Sequence, residues 1–496
     1  MDSGYGTRQA GGRHRAKGTV LIVTMWILLV LAGLVLVLCR AMRVAGDRAA
    51  NELAAVQADA VEQGAIQYLL ASVDGLQGET PEDVDTPCEA VEVGDGWFWI
   101  LRPTGEDQRE YSYGITDESA KLNLNTATQD MLGRLPGMTT EFVASVIDWR
   151  DADTNVTTGG AESEYYLMLP DAYECKDGPL ETVEELFLVR GVTKDILFGQ
   201  DVNRNGIIDA GESTGVFSGT FSSTGSRLDR GLINFVTVYS AQPGASTAAS
   251  TSTSGGSGTA TTGAASSGAA SSGASTSGTA ASGTSTSSGT LINVNAQSSQ
   301  ALTDLLRQSM SADRLPGILD RIRRERPFTS VLDFYYRAAL TAEEFQKIAS
   351  RITTSGGAQS GLVNVNTAPK EVLACLPGLE DSDVTALLSQ RPTAAADRAS
   401  ISWVAQALPR AKAAAIGSFI TTRSYQFSAD IVSIAASGRA FKRCRVVVDA
   451  RESPPKVVYR QNLTNLGWPL DPEIIPILRS GKTLNRTVQT TAREIG

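Results

Sequence analysis

The sequence predicts an α+β protein in which one long N-terminal helix and strands near both ends of the chain enclose a large helical block. Three observations predict this. An uncharged apolar run near the N-terminus continues into an amphipathic stretch, short aromatic and β-branched runs occur at 97–115 and 425–462, and the segment between them repeats one helix-rich pattern. Strands on both sides of a helical block indicate an insertion into a single β-containing domain.

The composition of the chain disfavours two classes of function, nucleic-acid binding and enzymatic catalysis. The chain has 496 residues, with 54 Asp and Glu against 44 Lys and Arg. An acidic balance disfavours a phosphate-dominated partner, because nucleic-acid affinity depends on Lys and Arg. The only histidine, His14, lies near the N-terminus, and no P-loop, dinucleotide fingerprint or nucleophile-base set stands out. We therefore expect a protein that is not an enzyme.

The cysteines show no CxxC pair, which makes a Cys/His zinc site a poor interpretation. In an oxidising compartment four of them could form up to two disulfides, with the pairing left open: Cys88, Cys175, Cys375 and Cys444.

The first helix begins in a membrane-like segment. Thr19–Cys39 has no charged residue and is about the length that spans a bilayer as a helix. The leader at 1–18 is basic, which favours a cytoplasmic N-terminus, although the bias is slight because Arg40, Arg43 and Arg48 follow the apolar run. A plain single-pass anchor is the simplest interpretation of the apolar run alone.

The same helix is expected to continue beyond the membrane. No helix breaker interrupts Ala41–Ser72, where Leu53, Val56 and Ala60 recur at helical spacing among charged residues. One helix, half in lipid and half packed on a soluble head, is therefore predicted.

The remaining parts of the β-containing domain are predicted at 40–119 and 424–465. Strands are expected at Trp97–Arg102, Tyr111–Ile115, Tyr425–Ala436, Ala440–Ala450 and Val457–Asn462. A stretch of Ser, Gly, Ala and Thr at 243–290 is predicted to be a flexible linker. The tail at 466–496 carries no pattern.

The helical block contains an internal repeat. Leu122–Gly137 reads LNLNTATQDMLGRLPG, Val363–Gly378 reads VNVNTAPKEVLACLPG, and Ile292–Ala296 opens a looser copy as INVNA. An Asn-x-Asn-Thr-Ala turn, a short helix and Leu-Pro-Gly are typical of a helix-hairpin-helix unit. We place the first unit at 120–242, and the second and third at 291–423.

Such units often bind DNA, through backbone N–H groups at a Gly-rich turn. Here Thr139 and Glu380 replace the second glycine of the turn. Glu380, Asp381 and Asp383 would repel a phosphate. A solvated helix face is the favoured explanation for a basic run in the middle unit, comprising Arg321, Arg323, Arg324 and Arg326. The hairpins are interpreted as scaffold, with no nucleic-acid partner.

A calcium loop is predicted at Asp201–Glu212, which matches D-x-[DN]-x-[DN]-G-x5-E at every specified position. The pattern assigns side-chain oxygens, one backbone carbonyl, a water-mediated contact and a bidentate carboxylate. The side-chain oxygens come from Asp201, Asn203 and Asn205, and the backbone carbonyl from Ile207. Asp209 acts through water, and Glu212 supplies the bidentate carboxylate. A polar surface loop held by Asx turns is the alternative.

A second acidic cluster follows the first hairpin. Asp151, Asp153 and Glu162 could converge on a hard cation, and a simple solvated turn fits the same spacing.

Taken together, several segments resemble the minor pseudopilin K family of type II secretion systems (general secretion pathway protein K). These are Gly18-TVLIV, Tyr111-SYGITDESAKLNLNTA, Ile147-DWRDAD, Gly160-AESEYY, Pro179-LETVEELFLVRG and Val363-NVNTAPKEVLACLPG. The leader ending in Gly18 resembles a prepilin peptidase site with Thr19 as the mature N-terminus. Val23 stands where most pilin-like subunits carry Glu, and the K-type subunit is the one that typically lacks it.

The resemblance implies a pilin-like domain with an inserted helical domain that carries calcium, to which Asp151, Asp153 and Glu162 align. It implies a tip subunit of a periplasmic pseudopilus, anchored in the inner membrane, that assembles with pseudopilins I, J and H. Secreted substrates and the outer-membrane secretin are candidate contacts of the tip. The rivals are a membrane-anchored DNA receptor of the competence type and a minor pilin adhesin. The long linker and the extra INVNA unit depart from the family pattern.

Overall fold

The computed structural model describes residues 16–103, 111–201, 203–205, 207, 231–244, 291–297, 299–482 and 484, with residues 16–19 described by their backbone alone. Most of the predicted leader, nearly all of the 243–290 linker and the end of the tail therefore lie outside the described residues.

The predicted long N-terminal helix is confirmed. Helix α1 spans Ala16–Val73, 58 residues without a break. Its apolar half is long enough to cross a membrane and is not covered by any other part of the structure. From Ala54 onward small and aliphatic side chains are buried every three or four residues, because this half packs on the sheet: Ala54, Ala58, Val61, Ala65, Leu69 and Val73.

Within the described residues, the sheet has seven antiparallel strands drawn from both ends of the chain. They are β1 (Val91–Val93), β2 (Gly96–Arg102), β3 (Ser112–Tyr113), β4 (Thr116–Asp117), β11 (Gln426–Ile434), β12 (Phe441–Asp449) and β13 (Lys456–Asn462). The main order is β1-β2-β11-β12-β13, with β3 beside β2 and β4 beside β11. The predicted strands thus lie in one sheet, which α1 covers on one face.

The C-terminal tail covers the other face. The tail forms a short helix, α15 (Ile474–Arg479), and its Leu470 and Leu478 are buried against Trp97 and Trp99. The sequence pattern gave no sign of this layer, because a six-residue helix has too few turns to show periodicity.

The helical region leaves the sheet at β4 and returns at β11. Asp117 on β4 is paired with Phe427 on β11, so the two connections lie side by side. The strands of the region are β5 (Leu122–Asn123), β6 (Val236–Thr237), β7 (Ile292–Asn293), β8 (Ile352–Thr353), β9 (Val363–Asn364) and β10 (Ile420–Thr421).

Short helices form the bulk of this region. They are α2 (Gln129–Gly133), α3 (Thr140–Arg150), α4 (Ser163–Tyr166), α5 (Lys194–Phe198), α6 (Gln300–Ser309), α7 (Leu315–Glu325), α8 (Val331–Ala338), α9 (Ala342–Ala349), α10 (Lys370–Ala374), α11 (Asp381–Ser389), α12 (Ala395–Arg398), α13 (Ser402–Ala407) and α14 (Arg410–Ile416). Their buried side chains form one continuous hydrophobic cluster from Leu122 to Ile420.

Three units of this region close in the same way. The first strand of each unit pairs in parallel with its last: β5 with β6, β7 with β8, and β9 with β10. In each Asn-x-Asn turn the first Asn side chain accepts a hydrogen bond from the backbone N–H of the second, at 2.8, 2.8 and 3.0 Å. The pairs are Asn123 with Asn125, Asn293 with Asn295, and Asn364 with Asn366.

The second Asn ties each turn to a distant part of its unit. Asn125 exchanges two hydrogen bonds with the backbone of Leu180, and Asn295 does the same with Phe328. An arginine at the end of the second helix, or just after it, also donates to a carbonyl of each turn: Arg150 to Ala127, Arg326 to Gln297 and Arg391 to Ala368. The repeated residues therefore serve the turn's own backbone.

All five cysteines are free thiols in this structure. Cys88 and Cys444 share one core but lie three strand spacings apart, since Cys88 bonds Ile100, which faces Ile431, which faces Cys444. At about 4.8 Å per spacing this exceeds the reach of a disulfide.

Candidate metal centre

The acidic cluster of the first unit begins at the end of α3. Thr139 caps this helix by accepting a hydrogen bond from the Phe142 N–H at 3.2 Å, and the helix ends at Arg150. The chain then makes an exposed loop, returns at Gly160 and enters α4 with Glu162 at the N-cap position.

Asp148 holds this loop in place. Its carboxylate is fully buried and accepts from the Thr157 N–H at 3.0 and 3.3 Å. A Cβ at Gly160 would lie 2.0 Å from Asp148 Oδ2, so the close approach of the loop requires glycine here. The carbonyl of Gly160 is fixed in turn by Arg190 at 3.1 Å.

Two carboxylates and a thiol lie close together after this loop. The ligand atoms of Glu162, Cys175 and Asp177 lie within 4.8 Å of one another. Four carboxylate oxygens here are buried and have no hydrogen-bond partner: both of Glu162, Oδ1 of Asp151 and Oδ1 of Asp177. Buried carboxylates without partners are costly in a folded protein unless a cation neutralises them.

The pKa shifts of these carboxyl groups also indicate a site that a cation would stabilise. Burial raises the pKa of the Glu162 carboxyl, and the charges of Asp177 and Asp148 raise it further. Burial also raises the pKa of Asp151, with additional contributions from Asp153 and Asp148. Like charges held together oppose ionisation, and a bound divalent cation would reverse that effect.

The donor set fits a hard cation. Carboxylate oxygens are the ligands that calcium prefers. Burial raises the pKa of the Cys175 thiol to about 12, so the sulfur is neutral at physiological pH and is not a calcium ligand. Asp151, Glu162 and Asp177 are the residues that would hold the ion.

Of the three residues predicted for this cluster, Glu162 lies in the close group with Asp177, and the charge of Asp151 contributes to the raised pKa of Glu162. Asp151 and Glu162 both contribute unpartnered oxygens. Asp153 is exposed, and its Oδ1 accepts from the backbone and side chain of Asn155 at 2.8 and 2.7 Å, which places it at the rim. Asp177 was missed, because it lies 15 residues beyond Glu162 and no motif fixes that spacing.

The Asp201–Glu212 loop is described only in part, and Asp209 and Glu212 lie outside the described residues. Asp201 and Asn203 both accept from the Asn205 N–H, at 3.0 and 2.9 Å, and Asn205 Oδ1 accepts from the Ile207 N–H at 2.9 Å. These are the Asx turns that a calcium loop and a plain polar turn share.

This loop is docked on the sheet. Arg443 of β12 is buried and donates to the carbonyls of Asn203 and Arg204, while the Asn205 amide donates to the Pro469 carbonyl at 3.1 Å. The first unit, the sheet and the tail therefore meet at this turn.

The hairpin turns carry acidic groups where phosphate contacts would be needed. The Glu380 side chain caps α11, and the backbone N–H of Glu380 donates to the Asp383 carboxylate at 2.9 Å. Lys412 binds that same Asp383 at 2.5 Å. The N-terminus of α11 is therefore satisfied from within the chain.

The fold combines a long N-terminal helix, whose second half packs on an antiparallel sheet, with a helical region carried between two paired strands. This is the arrangement expected of a pilin-like subunit. Two family models, both described as type II secretion system (T2SS) protein K, match the chain at residues 115–198 and 363–417. Over these two segments the chain is similar to the protein K family of type II secretion systems.

A curated relative, the type II secretion system protein K of Klebsiella pneumoniae, is 29% identical over 203 residues, which are 36% of this chain and 59% of the relative. The match thus spans about three fifths of that protein's length. A solved structure, the GspK-GspI-GspJ complex of enterotoxigenic Escherichia coli, aligns with a TM-score of 0.37 and 14% identity, covering 82% of this chain and 93% of that one. The first family match contains the acidic cluster, whereas the Asp201–Glu212 loop lies outside both matches.

Proposed function

We propose that the chain is a non-enzymatic minor pseudopilin that initiates or caps a type II secretion pseudopilus at its tip. The observation that carries this proposal is the position of the helical region at the end of α1 opposite its apolar half.

Contacts at the C-terminal end of α1 establish this position. The Ser424 N–H donates to the Gly78 carbonyl at 2.9 Å, and the Tyr425 hydroxyl donates to the Gln77 carbonyl at 3.3 Å. Arg398 of the third unit forms an ion pair with Glu82. The second and third units also line a cleft of about 910 Å³ with this segment.

The geometry supports the proposal that no further subunit is added above this one in the filament. Val73 lies 34 residues beyond Cys39, which is about 51 Å along a helix. Filament subunits of this class stack along their N-terminal helices, so the helical region would occupy the space that the next subunit needs. Val23, which replaces the usual Glu, fits a subunit that makes no contact with one above.

The anchor is proposed to be single-pass in the inner membrane, with the leader 1–18 cytoplasmic and the head periplasmic. Prepilin peptidase would cut between Gly18 and Thr19, whose backbone lies within α1. The proposed partners are pseudopilins of the I, J and H types, with secreted substrates and the secretin as further contacts of the exposed head.

The helical region is proposed to be an insertion built from helix-hairpin-helix-like units that act as scaffold. The shared turn hydrogen bonds support one repeated unit, and the adjacent β4 and β11 support insertion into the pilin-like domain. We therefore keep the domain bounds given in the sequence analysis as part of this proposal.

We further propose that the acidic cluster binds calcium as a structural ion. The ion would neutralise Asp151, Glu162 and Asp177 and so hold the loop at Gly160 against α4. The Asp201–Glu212 loop remains a second candidate on its sequence match.

The tip position can be tested by immunogold labelling of an epitope-tagged chain in pseudopili made by cells that overproduce the major pseudopilin. We expect label at one end of each filament and co-purification of the I and J subunits. A variant with residues 119–423 replaced by a short linker should lose the restriction to the end. A variant lacking only residues 245–290 is the matched control.

Label along the whole filament by the full-length chain, or its failure to co-purify with the I and J subunits, would overturn the proposal. Both readouts use the unaltered protein, so they stand even if the shortened variant does not fold.

A further inference from the structure

Exposed apolar side chains are concentrated on one side of the first unit. Outside α1, five of the eight large exposed apolar residues in the described part of the chain come from residues 156–188. Four of them form what we term the apolar patch: Leu167, Met168, Phe187 and Leu188, which are 53%, 80%, 39% and 46% exposed. Exposed apolar groups grouped in this way commonly mark interaction sites.

Contacts of Tyr173 connect the two segments that carry the apolar patch. The Tyr173 hydroxyl donates to the Leu188 carbonyl at 2.7 Å, and the Tyr173 ring stacks on Tyr166 with centroids 5.2 Å apart. The Arg190 guanidinium lies 4.8 Å from the centroid of the Tyr165 ring. These contacts join the turn after α4 to the segment that carries Phe187 and Leu188.

The surface is preformed rather than a loose loop. Tyr166 is fully buried, and its hydroxyl accepts from the Arg190 N–H at 3.2 Å. Leu186, next to Phe187, is also fully buried. A rigid surface loses little conformational entropy when a partner binds, so these contacts favour recognition.

Exposed acidic side chains flank the residues of the apolar patch along the chain, and we term them its rim. Glu164, Asp171 and Glu174 are exposed on the same stretch, and Glu181 follows close by. The nearby Lys176 is already paired with Glu185 at 2.9 Å. An apolar centre inside an acidic rim is complementary to an apolar segment flanked by Lys or Arg.

We propose that the apolar patch docks a segment of a partner protein that presents aliphatic or aromatic side chains between basic residues. A membrane surface is disfavoured, because anionic headgroups would be repelled by the rim. A second copy is disfavoured by the net charge of −10 on each chain. This inference goes beyond the tip role, since it concerns the outer surface of the first unit and holds for the head in any assembly.

The test uses the full chain in nanodiscs of neutral phosphatidylcholine, with empty nanodiscs as blank. The probes are two fluorescein-labelled amphipathic helical peptides with the same leucines, one carrying Lys and the other Glu at its polar positions. Fluorescence anisotropy should show salt-sensitive binding of the Lys peptide only. The Leu167→Gln, Met168→Gln variant should bind at least about tenfold more weakly.

The matched control is Val458→Gln, which replaces an exposed apolar residue on β13 and should leave binding unchanged. Equal thermal melts of the variants show that folding is intact. Equal binding by the patch variant, or by the Glu peptide, would overturn the proposal. Binding that arises only after residues 211–228 are replaced by a short Gly/Ser stretch would also overturn it, because the chain's own segment would then be the occupant.

Discussion

Two acidic loops of the first unit differ in how their oxygens are satisfied. The Asp201–Ile207 turn matches a calcium motif, yet its described oxygens accept bonds from its own backbone and Arg443 docks it on the sheet. The cluster of Asp151, Glu162 and Asp177 matches no motif, yet it holds four buried oxygens without partners. Our calcium proposal therefore rests more on unmet hydrogen bonds than on motif spacing.

The largest expected effect tests the docking of the turn. Arg443→Met should lower the free energy of unfolding by about 3 kcal/mol, because the carbonyls of two half-buried residues lose a charged donor. Urea denaturation measures this, and hydrogen exchange should show faster opening of residues 201–207. The control is Lys442→Met, whose partner Asp59 is exposed and whose effect should be below about 1 kcal/mol. An equal loss in both variants would contradict the docking.

A slightly smaller effect decides which loop holds the ion. Calcium at about 100 times its Kd should stabilise the protein by about 2.7 kcal/mol, and EDTA should remove that increment. Glu162→Gln should abolish the response if the cluster is the site, whereas the sequence motif predicts that Glu212→Ala abolishes it. Thermal melts with and without EDTA compare them. An unchanged response in both variants would rule out calcium at either loop.

The pH dependence without calcium gives a further comparison. The raised pKa values of Asp151 and Glu162 mean that the native state holds more protons than the unfolded state above the ordinary values of 3.8 and 4.5. Their contribution to stability therefore falls as pH rises through this range. The stability of Glu162→Gln relative to the unaltered chain should increase from pH 4.5 to 7, measured by urea denaturation in EDTA. A flat difference would mean that Glu162 ionises normally.

The smallest effect concerns Asp153, at the edge of the acidic cluster. Asp153→Asn should change the free energy of unfolding by less than about 0.5 kcal/mol, because the side chain is exposed and an amide oxygen can still accept from Asn155. Calcium should still stabilise this variant. A loss of the calcium response would instead place Asp153 among the ligands.

Local patterns predicted the long helix and the main strands, whereas the metal site stays a prediction. Apolar spacing predicted α1, and aromatic and β-branched runs predicted β2 and the last three strands, because both signals are local. The tail was unpredicted, since Leu470 and Leu478 are buried only by a sheet face formed elsewhere in the chain. Asp177 was missed for the same reason, as its proximity to Glu162 is set by the path of the fold rather than by sequence spacing.

The bridge between Gln242 and Gln359 bears on how such a chain can grow. Each backbone donates to the other, at 2.7 and 3.1 Å, so the end of the first unit is paired with the segment that leads into the third, and the linker and the second unit lie between them in sequence. Material added between these positions costs only the closure of a longer loop, about 0.6 kcal/mol for each doubling of length. An ancestor could therefore have gained a whole helical unit, or lengthened the stretch before it, without altering any strand pairing in the sheet.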